Sequence, residues 1–487
     1  MNNILKKIDK IDCILFFSLS VACILSIYGG YISPDSWVYL HLAQSISMGE
    51  GLTLNNGYFA IFPVGYPLLI ALISGFSSNI YTLIVASKVL NFILALLSYN
   101  YANKIFKNKI IAMLLVLSPL YLTVFKYTWS ENLFYASIIP SIYYLIKLNE
   151  KPYIKYCIYL TFFLTLAVSS RYFSGPLIFL IFIGYILVYG RKDLVLKFIP
   201  FFISGFIFIA YQFFNKKLTG YSSGMPRIEA AESIKLIFYS FISSSIKLTF
   251  AALIPIFLIF FLQKIKYKFD KKYLLIFFIG ISYLILHLVI RSFSHYDLFG
   301  SRILGLGILF VVFSIVSLVF NKFKFNNKIY IFLIVSIIFG FYTGGYRNIS
   351  SFDIPNLNNF PHKYVVSLKV ESSGSNNVSN QARSIYSSDR DEYYGYHTKI
   401  INPNLGPYLK VENLDEFTKR VKEIDYGNCV VDFSLIGSES ELKSIIGSQY
   451  QIDIYPEKYK DSMSPSIQQK LVSIFEPNQL VPCEKLL

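Results

Sequence analysis

Runs of about 20 apolar residues recur through the first 350 positions, each long enough to cross the hydrocarbon core of a bilayer. Backbone polar groups have no water partner there, so every such run must close its hydrogen bonds within a helix. That constraint fixes the class as an α-helical polytopic membrane protein. Composition agrees: 54% of the 487 residues are hydrophobic and 15% are charged, with a mean hydropathy of +0.50. A soluble domain carries roughly 25% charged residues. A soluble enzyme, a disordered chain and a disulfide-built secreted module are excluded.

The net charge of +16 resolves into a map when it is divided along the chain. Residues 361–487 carry 14 basic and 17 acidic groups, leaving 31 basic and 12 acidic on residues 1–360. The two parts therefore stand at −3 and +19. Spans are expected at 12–31, 79–101, 109–125, 131–148, 153–170, 172–190, 197–214, 246–263, 273–291, 302–320 and 329–346. Alternate connections hold 20 Lys and Arg, whereas residues 31–77 hold none. By the positive-inside rule the N-terminus is cytoplasmic and the eleventh span leaves the C-terminal segment outside. A cell-membrane location follows, and nucleic-acid binding is disfavoured because the basicity belongs to loops between spans.

The first span lacks an A-x-A cleavage site and reads as a permanent helix rather than a signal peptide. Residues 1–346 thus form the membrane domain and 347–361 a polar linker, and 362–487 switch to alternating strand and helix patterns. Strand-like runs lie at Tyr364–Val370, Arg383–Ser387, Cys429–Leu435 and Gln451–Tyr455, with helices expected at Glu412–Ile424 and Ser438–Ile446. These patterns predict a small extracytoplasmic α/β domain with a structural or acceptor-guiding role. Cys429 and Cys483 leave a disulfide open, without a spacing that indicates one.

Ionisable groups near the outer membrane face are few, and such groups usually face a cavity or a partner. The first outer loop, 33–77, is the most distinctive. Ser33 is placed to cap, Pro34 suits the first helical position, and Asp35 in the first turn complements the helix dipole. Tyr39, Leu42, Ala43 and Ile46 form an apolar stripe, and Gly49 and Gly51 end the helix, so an interfacial helix is predicted. Pro63 and Pro67 break the next segment too soon for it to span. Asp35 is either a helix-start acid or a carboxylate that takes the proton of an acceptor hydroxyl.

Glu131 opens the fourth span, where dipole compensation and a functional role both fit. Arg171 lies between two closely spaced spans, and Arg302 follows Asp297 where another begins. Each arginine either snorkels to headgroups or holds a phosphate in fork geometry. Tyr39, His295 and Asp297 are accessory candidates. The five histidines show no paired ligand spacing, so a divalent metal is only weakly supported. No phosphate-binding glycine loop and no serine nucleophile elbow occurs.

Four segments together resemble the GT-C class of polytopic glycosyltransferases, which includes protein O-mannosyltransferases and the aminoarabinose transferase of lipid A. They are Pro34-Asp-Ser-Trp-Val-Tyr-Leu with Phe62-Pro-Val-Gly-Tyr-Pro, Trp129-Ser-Glu-Asn, Ser170-Arg-Tyr-Phe-Ser-Gly-Pro and Asp297-Leu-Phe-Gly-Ser-Arg. The resemblance implies a sugar donor carried on a polyprenyl phosphate, an extracytoplasmic acceptor and chemistry at the outer face. It implies Asp35 as catalytic carboxylate, Glu131 as the second acid, and Arg171 and Arg302 at the lipid phosphate. Several members carry a second acid directly after the first; here that position is Ser36, which leaves any bound divalent ion in doubt.

On this reading the reaction is an inverting displacement, with Asp35 facing the phosphate leaving group across the sugar. Fixed arginines would stabilise the charge that grows on the leaving phosphate. Competing readings are a transporter or flippase of lipid-linked sugars, a surface-glycan polymerase or ligase, and a receptor-like protein working through its outer domain. The transporter reading predicts charges at mid-membrane, of which Lys88 is the clearest.

Overall fold

The computed structural model describes residues 10–28, 31, 33–54, 57–191, 194–220, 222–223, 234–260, 270–293, 299–319 and 328–346, and strand segments 364–367, 428–432 and 481–482. Two compact units result, Met1–Phe352 and Asp353–Leu487. In the first, fourteen α-helices follow one another: α1 Lys10–Tyr28, α2 Pro34–Ser47, α3 Gly65–Ile73, α4 Ile80–Phe106, α5 Lys109–Val116, α6 Pro119–Phe125, α7 Glu131–Glu150, α8 Ile154–Ser170, α9 Ser174–Tyr189, α10 Leu194–Thr219, α11 Ile234–Phe260, α12 Lys271–Phe293, α13 Ser301–Val319 and α14 Lys328–Phe341. A wide turn, Tyr342–Tyr346, continues from α14.

The chain is a multi-pass helical membrane protein. Six of its helices, among the described residues, are long and apolar enough to cross a bilayer: α1, α4, α10, α11, α12 and α13. The expected spans fall on helices with two notable differences. The run 109–125 is not one rod but α5 and α6, broken at Ser118-Pro119. Ser118 Oγ accepts from Tyr121 N at 3.2 Å, and Pro119 at the first helical position has no N–H to leave unsatisfied. Helix α11 begins at Ile234, twelve residues before the expected start at 246.

Packing follows small residues. A Cβ at Gly280 of α12 would lie 2.8 Å from the Gly307 carbonyl of α13, and one at Gly307 would meet Tyr283 and Leu284 at 2.8 Å. These two glycines let α12 and α13 approach closely, the usual device where lipid removes the hydrophobic drive for helix association. Gly65 does the same for α3, since its Cβ would sit 2.6 Å from the Ser169 carbonyl at the end of α8. By contrast α10 and α11 leave large apolar side chains exposed, Phe206, Phe213 and Phe250 among them, as lipid-facing helices do.

The first loop forms the short helix its caps predict. Ser33 is extended and its Oγ accepts from Ser36 N at 3.2 Å, and Gly49 and Gly51 take φ of 78° and 77°. Helix α2 is covered more widely than its single stripe suggests, however. Ser36, Val38, Leu40, His41 and Ser45 are buried together with Tyr39, Leu42 and Ala43. It packs into the bundle against α3 and α4 rather than merely resting on its surface. Beyond α2, a two-residue hairpin pairs β1 (Thr53–Leu54) with β2 (Gly57–Tyr58).

In the second unit, β3 (Tyr364–Ser367), β4 (Asn428–Asp432) and β5 (Val481–Pro482) form a mixed sheet in the order β3-β4-β5. The β3–β4 pair is parallel and the β4–β5 pair antiparallel. β3 falls within the run expected at 364–370 and β4 overlaps the one at 429–435, starting one residue earlier at Asn428, whereas β5 had no period-two signal to announce it. The linker, the expected strands at 383–387 and 451–455, both expected helices and Cys483 lie outside the described residues.

Candidate active site

The site is assembled by four chain segments, the starts of α2, α7 and α13 and the turn between α8 and α9. Trp129 and Ser130 lead into α7, and each reaches back to the first loop. Trp129 Nε1 donates to Ser33 Oγ at 2.6 Å, and Tyr39 Oη donates to Ser130 Oγ at 2.7 Å. Tyr39 is 2% exposed, stacked on Phe62 at 4.8 Å and edge-on to Tyr66 at 5.3 Å. Burial pushes its phenol well above the usual tyrosine range, so Tyr39 works here as a neutral hydrogen-bond donor and wall.

Four of the residues singled out in the sequence converge. Glu131, fully buried, receives Arg302 Nε on Oε1 at 2.5 Å and pairs with Arg171 Nη1 through the same oxygen. Among the described residues, none donates a hydrogen bond to Glu131 Oε2. Arg302 also pairs through Nη1 with Asp35 Oδ2, and its guanidinium carbon lies 4.7 Å above the Trp129 ring. One guanidinium thus spans both acids while lying over an indole ring, a geometry an ammonium could not supply. Two acids and two arginines make the cluster internally neutral.

This bears on the reading of three residues. Asp35 has no cation in its own loop, but Arg302, far along the chain, supplies one. The two arginines expected at the lipid phosphate each pair with a carboxylate of the cluster. The acids also differ in access: the Asp35 side chain is 18% exposed and the Glu131 side chain 0%. Asp35 is thus the more accessible of the two acids, and Glu131 is enclosed with both guanidiniums. His295 and Asp297 lie outside the described residues, as do Arg227, Glu229 and Glu232. Among the described residues no three His, Cys, Asp or Glu side chains gather as a metal would require.

Behind the cluster, one turn of α4 holds the segments in register. Lys88 Nζ donates to Tyr31 O at 3.1 Å, Lys126 O at 2.8 Å and Thr128 Oγ1 at 3.1 Å. Ser87 Oγ is 2.8 Å from Thr128 Oγ1, and Asn91 Nδ2 donates to Phe125 O and Tyr127 O, each at 2.8 Å. Asn91 Oδ1 accepts from Tyr66 Oη at 2.7 Å. The lysine that favoured transport is therefore a clamp with three protein acceptors. Sequence reasoning noticed its charge but could not see that α6 ends where its carbonyls need a donor.

A second brace acts on the other side of the loop. Tyr58 Oη donates to Asn215 Oδ1 at 2.8 Å, Asn215 Nδ2 donates to Tyr172 Oη at 2.7 Å, and Tyr172 in turn donates to the Ala60 carbonyl. Tyr172 follows Arg171 directly, so this chain ties the arginine's turn to the loop that carries Asp35. His287 packs flat on Phe173 at 3.8 Å beside the same turn.

The fold is similar to that of a solved polytopic membrane protein. The crystal structure of ArnT from Cupriavidus metallidurans bound to undecaprenyl phosphate superposes with a TM-score of 0.55 at 11% identity, covering 86% of this chain and 92% of that one. The apo form of the same protein gives 0.56 at 10% identity, with 89% and 95% covered. Residues 63–213 match the family described as dolichyl-phosphate-mannose-protein mannosyltransferase. No curated protein sequence matches the chain.

Proposed function

We propose that this protein is a membrane glycosyltransferase that moves a sugar from a polyprenyl-phosphate carrier to an extracytoplasmic acceptor with inversion at the anomeric carbon. The observation that carries the reading is the single guanidinium of Arg302 shared between an accessible acid, Asp35, and a buried one, Glu131. The family match over 63–213 and the likeness to a structure holding undecaprenyl phosphate support the donor class.

Asp35 accepts the proton of the acceptor hydroxyl as its oxygen attacks the anomeric carbon. The bond from that carbon to the phosphate oxygen breaks, and polyprenyl phosphate leaves with the electron pair. Arg302 stands beside the base, held in orientation by Glu131 and Trp129, and Arg171 is held by the same Glu131 oxygen. Both are positioned to take up charge that grows on the leaving phosphate, and such preorganised donors act more strongly in the transition state than in the ground state. The membrane domain occupies 1–346 with its N-terminus cytoplasmic, and 362–487 lies outside the cell membrane.

Purified protein in proteoliposomes, supplied with a panel of radiolabelled polyprenyl-phosphate sugars and cell-envelope extract, tests this. Label leaving the lipid for a glycan, lipid or protein acceptor is the expected result. Label that crosses the bilayer still attached to its lipid would assign the protein to transport instead.

A further inference from the structure

Lys126, in the turn between α6 and α7, is a nearly buried cation with nothing negative beside it. It is 7% exposed, and among the described residues its ammonium has no hydrogen bond and no carboxylate partner. What surrounds it is aromatic: the ring centroids of Tyr31, Tyr127 and Tyr346 lie 4.9, 5.1 and 5.9 Å from Nζ. Tyrosine faces attract a cation without cancelling its charge. An ammonium held this way keeps its full positive charge and its three N–H donors for a visitor.

Position 345 adds a second, independent sign. Gly345 takes φ of 84°, in the left-handed region, and a Cβ there would collide with Lys126 Nζ. The backbone of position 345 therefore packs directly against the ammonium, a fit that only glycine allows. The place is also continuous with the reaction centre, because Tyr127 stacks on Trp129 at 4.2 Å and Trp129 carries Arg302 at 4.7 Å. Since the Asp35–Glu131–Arg171–Arg302 cluster is internally neutral, Lys126 supplies an uncompensated positive charge on this wall.

We infer that Lys126, framed by Tyr31, Tyr127 and Tyr346 beneath Gly345, is a subsite for a phosphate group beside the acid–arginine cluster. A compact, hydrated ammonium suits a phosphate as a point charge. The assignment rests on the lipid-phosphate reading above for its most natural occupant, the carrier's own phosphate. A phospholipid headgroup or free phosphate would bring the same chemistry.

The full chain in detergent is titrated with a fluorescent polyprenyl phosphate, with inorganic phosphate and phosphatidylglycerol as competitors. Lys126→Met is expected to weaken probe binding at least tenfold without lowering Tm, because methionine fills the cage and removes a buried charge. Gly345→Ala, which keeps the lysine but pushes its ammonium out of position, should weaken it in the same direction. Competition by phosphatidylglycerol or inorganic phosphate in wild type, lost in Lys126→Met, would extend the subsite to phosphates in general. Equal affinities of wild type and both variants for all three phosphates would overturn the inference. Sugar transfer measured in parallel separates the two claims: an active wild type with unchanged binding in the variants sinks only the subsite, and a wild type that transfers nothing sinks the donor reading itself.

Discussion

Arg302 Nε donates to Glu131 Oε1 at 2.5 Å across 171 positions of sequence, inside a bundle where Glu131 is wholly buried. The same arginine reaches Asp35 with another nitrogen. A single side chain therefore couples the first outer loop to α7 and α13, and its geometry decides how the two acids divide their work.

Replacing Arg302 by lysine keeps the charge but cannot serve two carboxylates and an indole face at once. Transfer is expected to fall about 100-fold in kcat/KM, in the range seen when a preorganised donor is lost. A double-mutant cycle with Asp35→Asn measures the coupling; additive losses would mean that the Asp35–Arg302 pair has no part in turnover.

Glu131→Gln removes a buried carboxylate that pairs with both Arg171 and Arg302. Breaking a buried pair from one side costs about 3–5 kcal/mol. Thermal unfolding in detergent should shift down clearly, and with it the yield of folded protein. An unchanged midpoint would show that the arginines find other partners without strain.

Lys88→Met leaves the carbonyls of Tyr31 and Lys126 without the donor they now share. Each buried acceptor deprived of its partner costs about 1–3 kcal/mol. The loop ends they belong to lie next to Asp35 and Glu131, so loss of transfer should exceed what the loss of folded protein explains. Activity per folded molecule equal to wild type would reduce Lys88 to a stabilising clamp.

Burial pushes the Lys126 ammonium down to about 8. The groups that face it are the uncharged rings of Tyr31, Tyr127 and Tyr346, while Lys88 binds the carbonyl of the same residue. A lysine of lowered pKa is charged below that value and neutral above it. Affinity for polyprenyl phosphate should therefore hold steady from pH 7 and decline as pH rises through about 8. The phosphate's own second ionisation, near 6, is already complete there. In Lys126→Met the decline should vanish, and its persistence would place the titrating group elsewhere.

Much of this site was legible in the sequence because membrane chemistry is sparse. Charges near the outer face are few, so Asp35, Glu131, Arg171 and Arg302 stood out one by one. Their mutual pairing was not legible, since it joins residues as far apart as Glu131 and Arg302, 171 positions, a contact no local pattern encodes. Caps were read well where serine and proline act on their own helix, as at Ser33-Pro34. The same signature at Ser118-Pro119 lay inside an apolar run and was overridden there by span length. The α4 polar turn was visible only as an odd lysine, because its purpose lies in carbonyls supplied by other segments.

The central claim is that Asp35 removes the acceptor's proton. Asp35→Asn keeps size and one acceptor oxygen near Arg302 but cannot act as base. Turnover of a radiolabelled polyprenyl-phosphate sugar by the purified variant, normalised to folded protein, should fall about 1,000-fold or more, with polyprenyl-phosphate binding retained. Turnover within a few fold of wild type would contradict the assignment and return Asp35 to the role of a helix-start acid paired with Arg302.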